Sequence, residues 1–122
     1  MAVEVTCNLE GVEEFKKAVE KLDSAMQRQI HEQLAKWAAN VKDAAKQLAP
    51  VRTGYLRSSL YAEIQGWTAK IGAEASYAGF VEFGTRYMQA RPYIYPALQR
   101  HLPQLEQIIL EALDAAKREA GL

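Results

Sequence analysis

The chain has 122 residues, 49% of them apolar and 25% charged, with fifteen basic side chains against fifteen acidic ones. That is the size and balance of one globular domain, residues 1–122, with a modest core. Zero formal charge argues against a role built on phosphate contacts, the lone Cys7 excludes an internal disulfide or Cys-rich metal site, and no apolar run nears the roughly 20 residues that span a bilayer.

The opening "MAVEVTCNLEG" has neither the basic nor the apolar region of a signal peptide. An unpaired thiol suits a reducing compartment, so a cytoplasmic origin is expected. Val3, Val5, Cys7 and Leu9 alternate with Glu4, Thr6 and Asn8, the period of a half-buried strand, which Gly11 then breaks. The strongest periodic signal follows. Val12, Phe15, Val19, Leu22, Met26, Ile30, Leu34, Trp37, Val41, Ala45 and Leu48 cover 36 positions in ten steps, a helical repeat of 3.6. It predicts a short helix leading, with or without a bend, into a long one over 11–48; Asp23-Ser24 suits the cap of a second helix, but the stripe keeps phase across it. Pro50 ends it, because the residue before a proline is pushed out of the α region.

Arg52-Thr53-Gly54 reads as a loop. Leu56, Ser58, Leu60, Ala62 and Ile64 then alternate with polar residues, as do Trp67, Ala69 and Ile71, so two strands joined at Gln65-Gly66 make a hairpin. In "SYAGFVEF", Tyr77, Phe80 and Val81 share one side of a helical turn, with Ser76 as N-cap and Gly84 as a left-handed C-terminal residue. From Tyr93, the positions Ile94, Leu98, Leu102, Leu105, Ile109, Ala112 and Ala116 mark a last amphipathic helix. Pro96 suits its first turn, Pro103 should kink or restart it, and "AKREAGL" should fray. The outline is α+β: N-terminal strand, long helix, antiparallel hairpin sheet, short helix, and a C-terminal helix packed on the sheet.

Chemistry-bearing constellations are scarce. His31 and His101 lie apart from any Cys or Asp at metal-ligand spacing and read as surface residues. Glu82, flanked by Val81 and Phe83, must be paired if buried. It reads either as an intramolecular salt bridge to Arg52, Arg57, Arg86 or Arg91, or as a contact to an arginine of a neighbouring subunit. Arg52 and Arg57 beside Gly54 are two solvated arginines or a weak phosphate cradle. Between 77 and 98 lie Tyr77, Phe80, Phe83, Tyr87, Tyr93 and Tyr95, six of eleven aromatics, among Arg86, Arg91, Pro92 and Pro96. Rings with arginine and no lysine are the composition of interface centres, though a shared core is the alternative.

Three segments in this order, "LAPVRTGYLRSSL" (48–60), "YAGFVEFGT" (77–85) and "RPYIYPAL" (91–98), resemble the tail-completion, or head–tail joining, proteins of long-tailed bacteriophages and prophages. The resemblance covers about residues 5–115. It implies a non-enzymatic structural protein of the virion, present in the host bacterial cytoplasm during assembly, with no cofactor, metal or catalytic residue. It implies a ring of copies at the neck or upper tail, touching neck, tail-terminator or tail-tube proteins, without nucleic acid or membrane. On matching positions, Thr53, Gly54, Leu56 and Arg57 would shape the turn into the hairpin. Tyr77, Glu82, Phe83, Gly84 and Thr85 would form the motif beside the loop, and Arg91, Pro92 and Pro96 would start the last helix. Arg52 stands where the family often carries an acid. A rival reading is a nucleic-acid contact module using Arg52, Arg57, Arg86 and Arg91. A small enzyme is a third, lacking a base–nucleophile or metal constellation.

Overall fold

In the computed structural model, which describes residues 2–8, 13–50 and 54–119, the N-terminal alternation becomes strand β1 (Val3–Asn8). The expectations placed on Leu9, Gly11, Val12, Arg52 and Thr53, and on the side chains of Cys7, Phe15 and Ala116, lie outside what is described.

The long helical stripe breaks once, into α1 (Glu13–Glu20) and α2 (Ser24–Leu48). Each side of the break is closed by a side chain. The Asp23 carboxylate accepts from the Met26 N–H at 2.8 Å and caps α2. The Gln27 amide donates to the carbonyls of Val19 and Leu22 at 3.1 and 3.0 Å, tying the start of α2 to the end of α1 and the turn that follows it. Helix α2 buries Ile30, Leu34, Trp37, Ala38, Val41, Ala44 and Ala45. It ends where Ala49, before Pro50, turns to ψ 134°.

The hairpin begins later than the alternation suggests. Tyr55–Ser58 form a one-turn helix, α3, which Gly54 enters at φ 82°. The hydroxyls of Ser58 and Ser59 donate back to the carbonyls of Tyr55 and Leu56, at 2.9 and 2.8 Å. Strands β2 (Leu60–Gln65) and β3 (Thr68–Ala73) follow, joined by Gly66-Trp67, and β1 pairs with β3 to give an antiparallel sheet ordered β1-β3-β2. Val3 and Leu60 both stand opposite Ala73, so the three strands share one register. Helix α2 lies over β2 and β3, covering Leu60, Ala69, Ile71 and Ala73. His31 is not a free surface residue. Its ring stacks on Trp67 at the hairpin tip, with centroids 3.9 Å apart, because α2 crosses the sheet there.

Helix α4 (Ala78–Phe83) and helix α5 (Ile94–Glu119) complete the chain. Helix α5 packs along α2 and α1 and meets the sheet chiefly by way of α2. Pro103 neither ends nor restarts it. Gln99, whose carbonyl loses its donor, is an exposed residue on the outer side of the helix. The segment expected to fray is helical to Glu119, with Arg118 paired to Asp114 one turn back. The α2–α5 seam is pinned by the Trp37 Nε1–H donating to the His101 carbonyl at 2.7 Å. Trp37→Phe keeps most of the packing and removes the donor, so we expect a loss of about 2 kcal/mol in chemical denaturation. An unchanged midpoint and slope would show that this bond contributes nothing to the seam.

Candidate functional site

The site grows from the junction of α4 with α5. An α-helix leaves four backbone donors at its start without intrahelical partners. For α5 these belong to Tyr93, Ile94, Tyr95 and the residue at position 96. The Glu82 carboxylate, 5% exposed, accepts from the N–H groups of Tyr93 (3.1 Å), Ile94 (2.8 Å) and, more loosely, Tyr95 (3.4 Å). The fourth is Pro96, which has no N–H to satisfy. Every orphan donor is thereby accounted for, and the positive end of the helix dipole faces the buried charge. Among the described residues no arginine pairs with Glu82, so the expected intramolecular bridge to Arg57, Arg86 or Arg91 gives way to a helix cap, while Arg52 lies outside those residues. Tyr93 is fully buried, and its hydroxyl donates to the Ala78 carbonyl at 3.1 Å. Burial, and secondarily the Glu82 charge, push its phenol well above the ordinary tyrosine range and keep it a donor.

Helix α4 does form, but rotated from the expected face. Its buried side is Ala78, Gly79 and Glu82, small enough to lie against the start of α5, while Tyr77 and Phe80 face outward. Its N-cap is Tyr77, not Ser76, and no side chain bonds there. Gly84 has the positive φ expected of it, 78°, but ψ is 173°, so the chain leaves extended and not as a left-handed turn. The loop then folds back. The Thr85 N–H donates to the Met88 carbonyl at 2.8 Å, the Tyr87 N–H to Thr85 Oγ1 at 3.2 Å, and the Arg91 N–H to the Val81 carbonyl at 2.8 Å. A loop stapled this way holds its side chains outward on a fixed backbone.

What it displays is aromatic and basic. Of the six aromatics in the segment only Tyr93 turns inward; Phe83 and Tyr87 are 68% and 91% exposed, and Tyr95 is exposed as well. Tyr77, Phe80, Met88 and Arg91 from this segment meet Pro50 and Tyr55 from the α2–α3 region around a groove of about 980 Å³. Tyr55 and Tyr77 lie ring to ring at 6.2 Å. Leu56 is buried beneath, and the Arg57 Nε–H donates to the Lys46 carbonyl at 3.1 Å. Arg86, Arg91 and Pro92 are exposed. The sequence reading brought together Tyr77, Phe80 and Arg91 but missed Tyr55, which reaches the groove from α3, and Met88, which reaches it from the loop folded back after α4. Among the described residues no group of three or more His, Cys, Asp or Glu could hold a metal ion, and no helix is long and apolar enough to cross a membrane. The arrangement offers grip and placement, with rings and guanidinium groups around a concave surface.

A family model described as "Bacteriophage HK97-gp10, putative tail-component" matches residues 13–84. The match takes in the first motif segment and all of the second but its last residue, Thr85, and stops before the third, at 91–98. Neither a curated protein nor a solved structure matches the chain.

Proposed function

This chain belongs to the HK97-gp10-like family of bacteriophage tail components, and we propose that it completes the upper end of the tail at the head–tail joint, as a ring of copies. The observation that carries this reading is the exposed face around Tyr77, Phe80, Phe83, Tyr87, Arg86 and Arg91. A monomer rarely leaves so many large rings in water on a backbone tied this closely, and such patches mark contact surfaces. The remaining partners of the ring are the neck, tail-terminator or tail-tube proteins on either side. The protein is made in the host cytoplasm and ends in the virion.

Immunogold labelling of particles produced by the phage or prophage that encodes the chain tests this directly. Label at the head–tail joint is expected; label confined to capsid or baseplate, or absent from particles, overturns it. The face itself is tested by Phe83→Ala with Tyr87→Ala. Both side chains are largely solvated, so stability should change by only about 0.5 kcal/mol, while the amount of chain in purified particles falls about tenfold. Normal incorporation of the double variant would move the contact elsewhere.

A further inference from the structure

Overall neutrality conceals a segregation of charge. Between residues 76 and 100 the single acid is Glu82, spent on the α5 cap, and the bases are Arg86, Arg91 and Arg100. Between 101 and 116 the charged residues are Glu106, Glu111 and Asp114, with no lysine or arginine. Asp114 is held by Arg118, and Glu111 accepts from Gln107. Among the described residues Glu106 has no partner. Leu102, Glu106 and Leu110, four residues apart, line one exposed side of α5 at steps of about 6 Å. Leu110 is 60% exposed, on a helix whose opposite face is already buried against α2 and α1.

We propose that the Leu102–Glu106–Leu110 stripe of one copy docks in the groove of the next, the leucines against Tyr55, Tyr77, Phe80 and Met88 and Glu106 against Arg91. The proposal rests on the ring reading above and names its contact. Both chemistries needed are on one chain: an apolar groove edged by an unpaired guanidinium, and an apolar stripe centred on an unpaired carboxylate. Groove on groove would set Arg91 against Arg91, and stripe on stripe Glu106 against Glu106, so like charges oppose both of these self-facing contacts. Two copies that engaged groove and stripe reciprocally would stop at a dimer; engaged with a different copy on each side, the contact is head to tail and its repetition closes a ring or grows a filament.

Sedimentation velocity over a concentration series tests it. Wild-type chain should associate, while Arg91→Glu and Glu106→Arg should each weaken association about tenfold or more with unchanged melting temperature, both side chains being exposed. The double variant R91E/E106R should regain it. An equal mixture of the two single variants should also assemble, since each then offers the other a matched pair. A wild-type chain that stays monomeric, or an E106R chain that associates normally, overturns the docking. If E106R still reaches particles at wild-type level with label at the joint, only this contact is removed; wild-type chain missing from the joint removes the ring reading itself.

Discussion

Replacing Glu82 with alanine should cost about 3 kcal/mol of folding stability and lower the melting temperature by about 10 °C. The carboxylate is buried and serves backbone donors of two buried residues, Tyr93 and Ile94, at 3.1 and 2.8 Å. Without it those N–H groups have no other acceptor and no access to water, and each unmet donor costs on the order of 1–3 kcal/mol. Glu82→Gln separates charge from shape. An amide oxygen at the Oε1 position can still accept from Tyr93 and Ile94, but the second oxygen becomes a donor facing the Tyr95 N–H, and the attraction of a full charge to the helix dipole is gone. Gln should therefore lose about half of what Ala loses. Thermal and urea unfolding of both variants decide the matter, and an alanine variant with wild-type stability would sink the capping role. Assembly of the proposed ring should fall with Ala only as far as the fold falls, which distinguishes a cap from a residue that reaches a neighbouring subunit.

The cap also explains why the motif glutamate and the proline segment occur together. Glu82, Pro92 and Pro96 are separate in the sequence, yet the carboxylate takes the donors of Tyr93, Ile94 and Tyr95, and Pro96 removes the need for a fourth acceptor. With the Tyr93 hydroxyl on the Ala78 carbonyl and the Arg91 N–H on the Val81 carbonyl, three ties lock α4 to α5. The groove needs that lock, since Phe80 belongs to α4 and Met88 and Arg91 belong to the loop that runs from α4 to α5.

Strong local periods were readable from residue order alone. The N-terminal strand and the end at Pro50 follow from side-chain spacing and backbone constraints that act within a few residues, whereas the apolar stripe keeps phase across Asp23 and so left the break there open. The strand expected from Leu56 onward failed at its start because two or three alternating residues satisfy either period, and the serine hydroxyls tipped the balance to a helical turn. Helix α4 shows a different limit. Reading Tyr77, Phe80 and Val81 as the inner face assumes that the largest apolar groups go inside. Close approach to α5 instead selects Ala78 and Gly79, and the large rings are left outside. Glu82 was recognised as a carboxylate needing a partner, but charge patterns show only charged partners, and a helix start carries none. Pro96 held the signal: a proline fit for a first turn announces a helix end whose donors require an acceptor nearby.

Gly84→Val should be the more damaging of the two changes, at about 4 kcal/mol, from backbone strain and steric displacement together. At φ 78° and ψ 173°, position 84 occupies a region that side-chain-bearing residues almost never enter. A Cβ there would also lie 2.7 Å from the Ala90 nitrogen and 3.0 Å from the Met88 oxygen. Both obstacles are backbone, so no rotamer change can relieve them, and the loop has to move. It is held at Thr85–Met88 and again at Arg91–Val81, so moving it breaks the staples and displaces Met88 and Arg91 from the groove. Gly84→Ala meets the same Cβ contact and the same φ without the branched methyls, and should lose about 3 kcal/mol. Any Ala or Val variant that folds should dock more weakly than its residual stability accounts for, because the groove wall is built by the displaced segment. Differential scanning calorimetry with sedimentation on the same samples reads both effects. A valine variant with wild-type melting temperature would mean that the chain leaves α4 by another path and that the groove wall is not where this loop puts it.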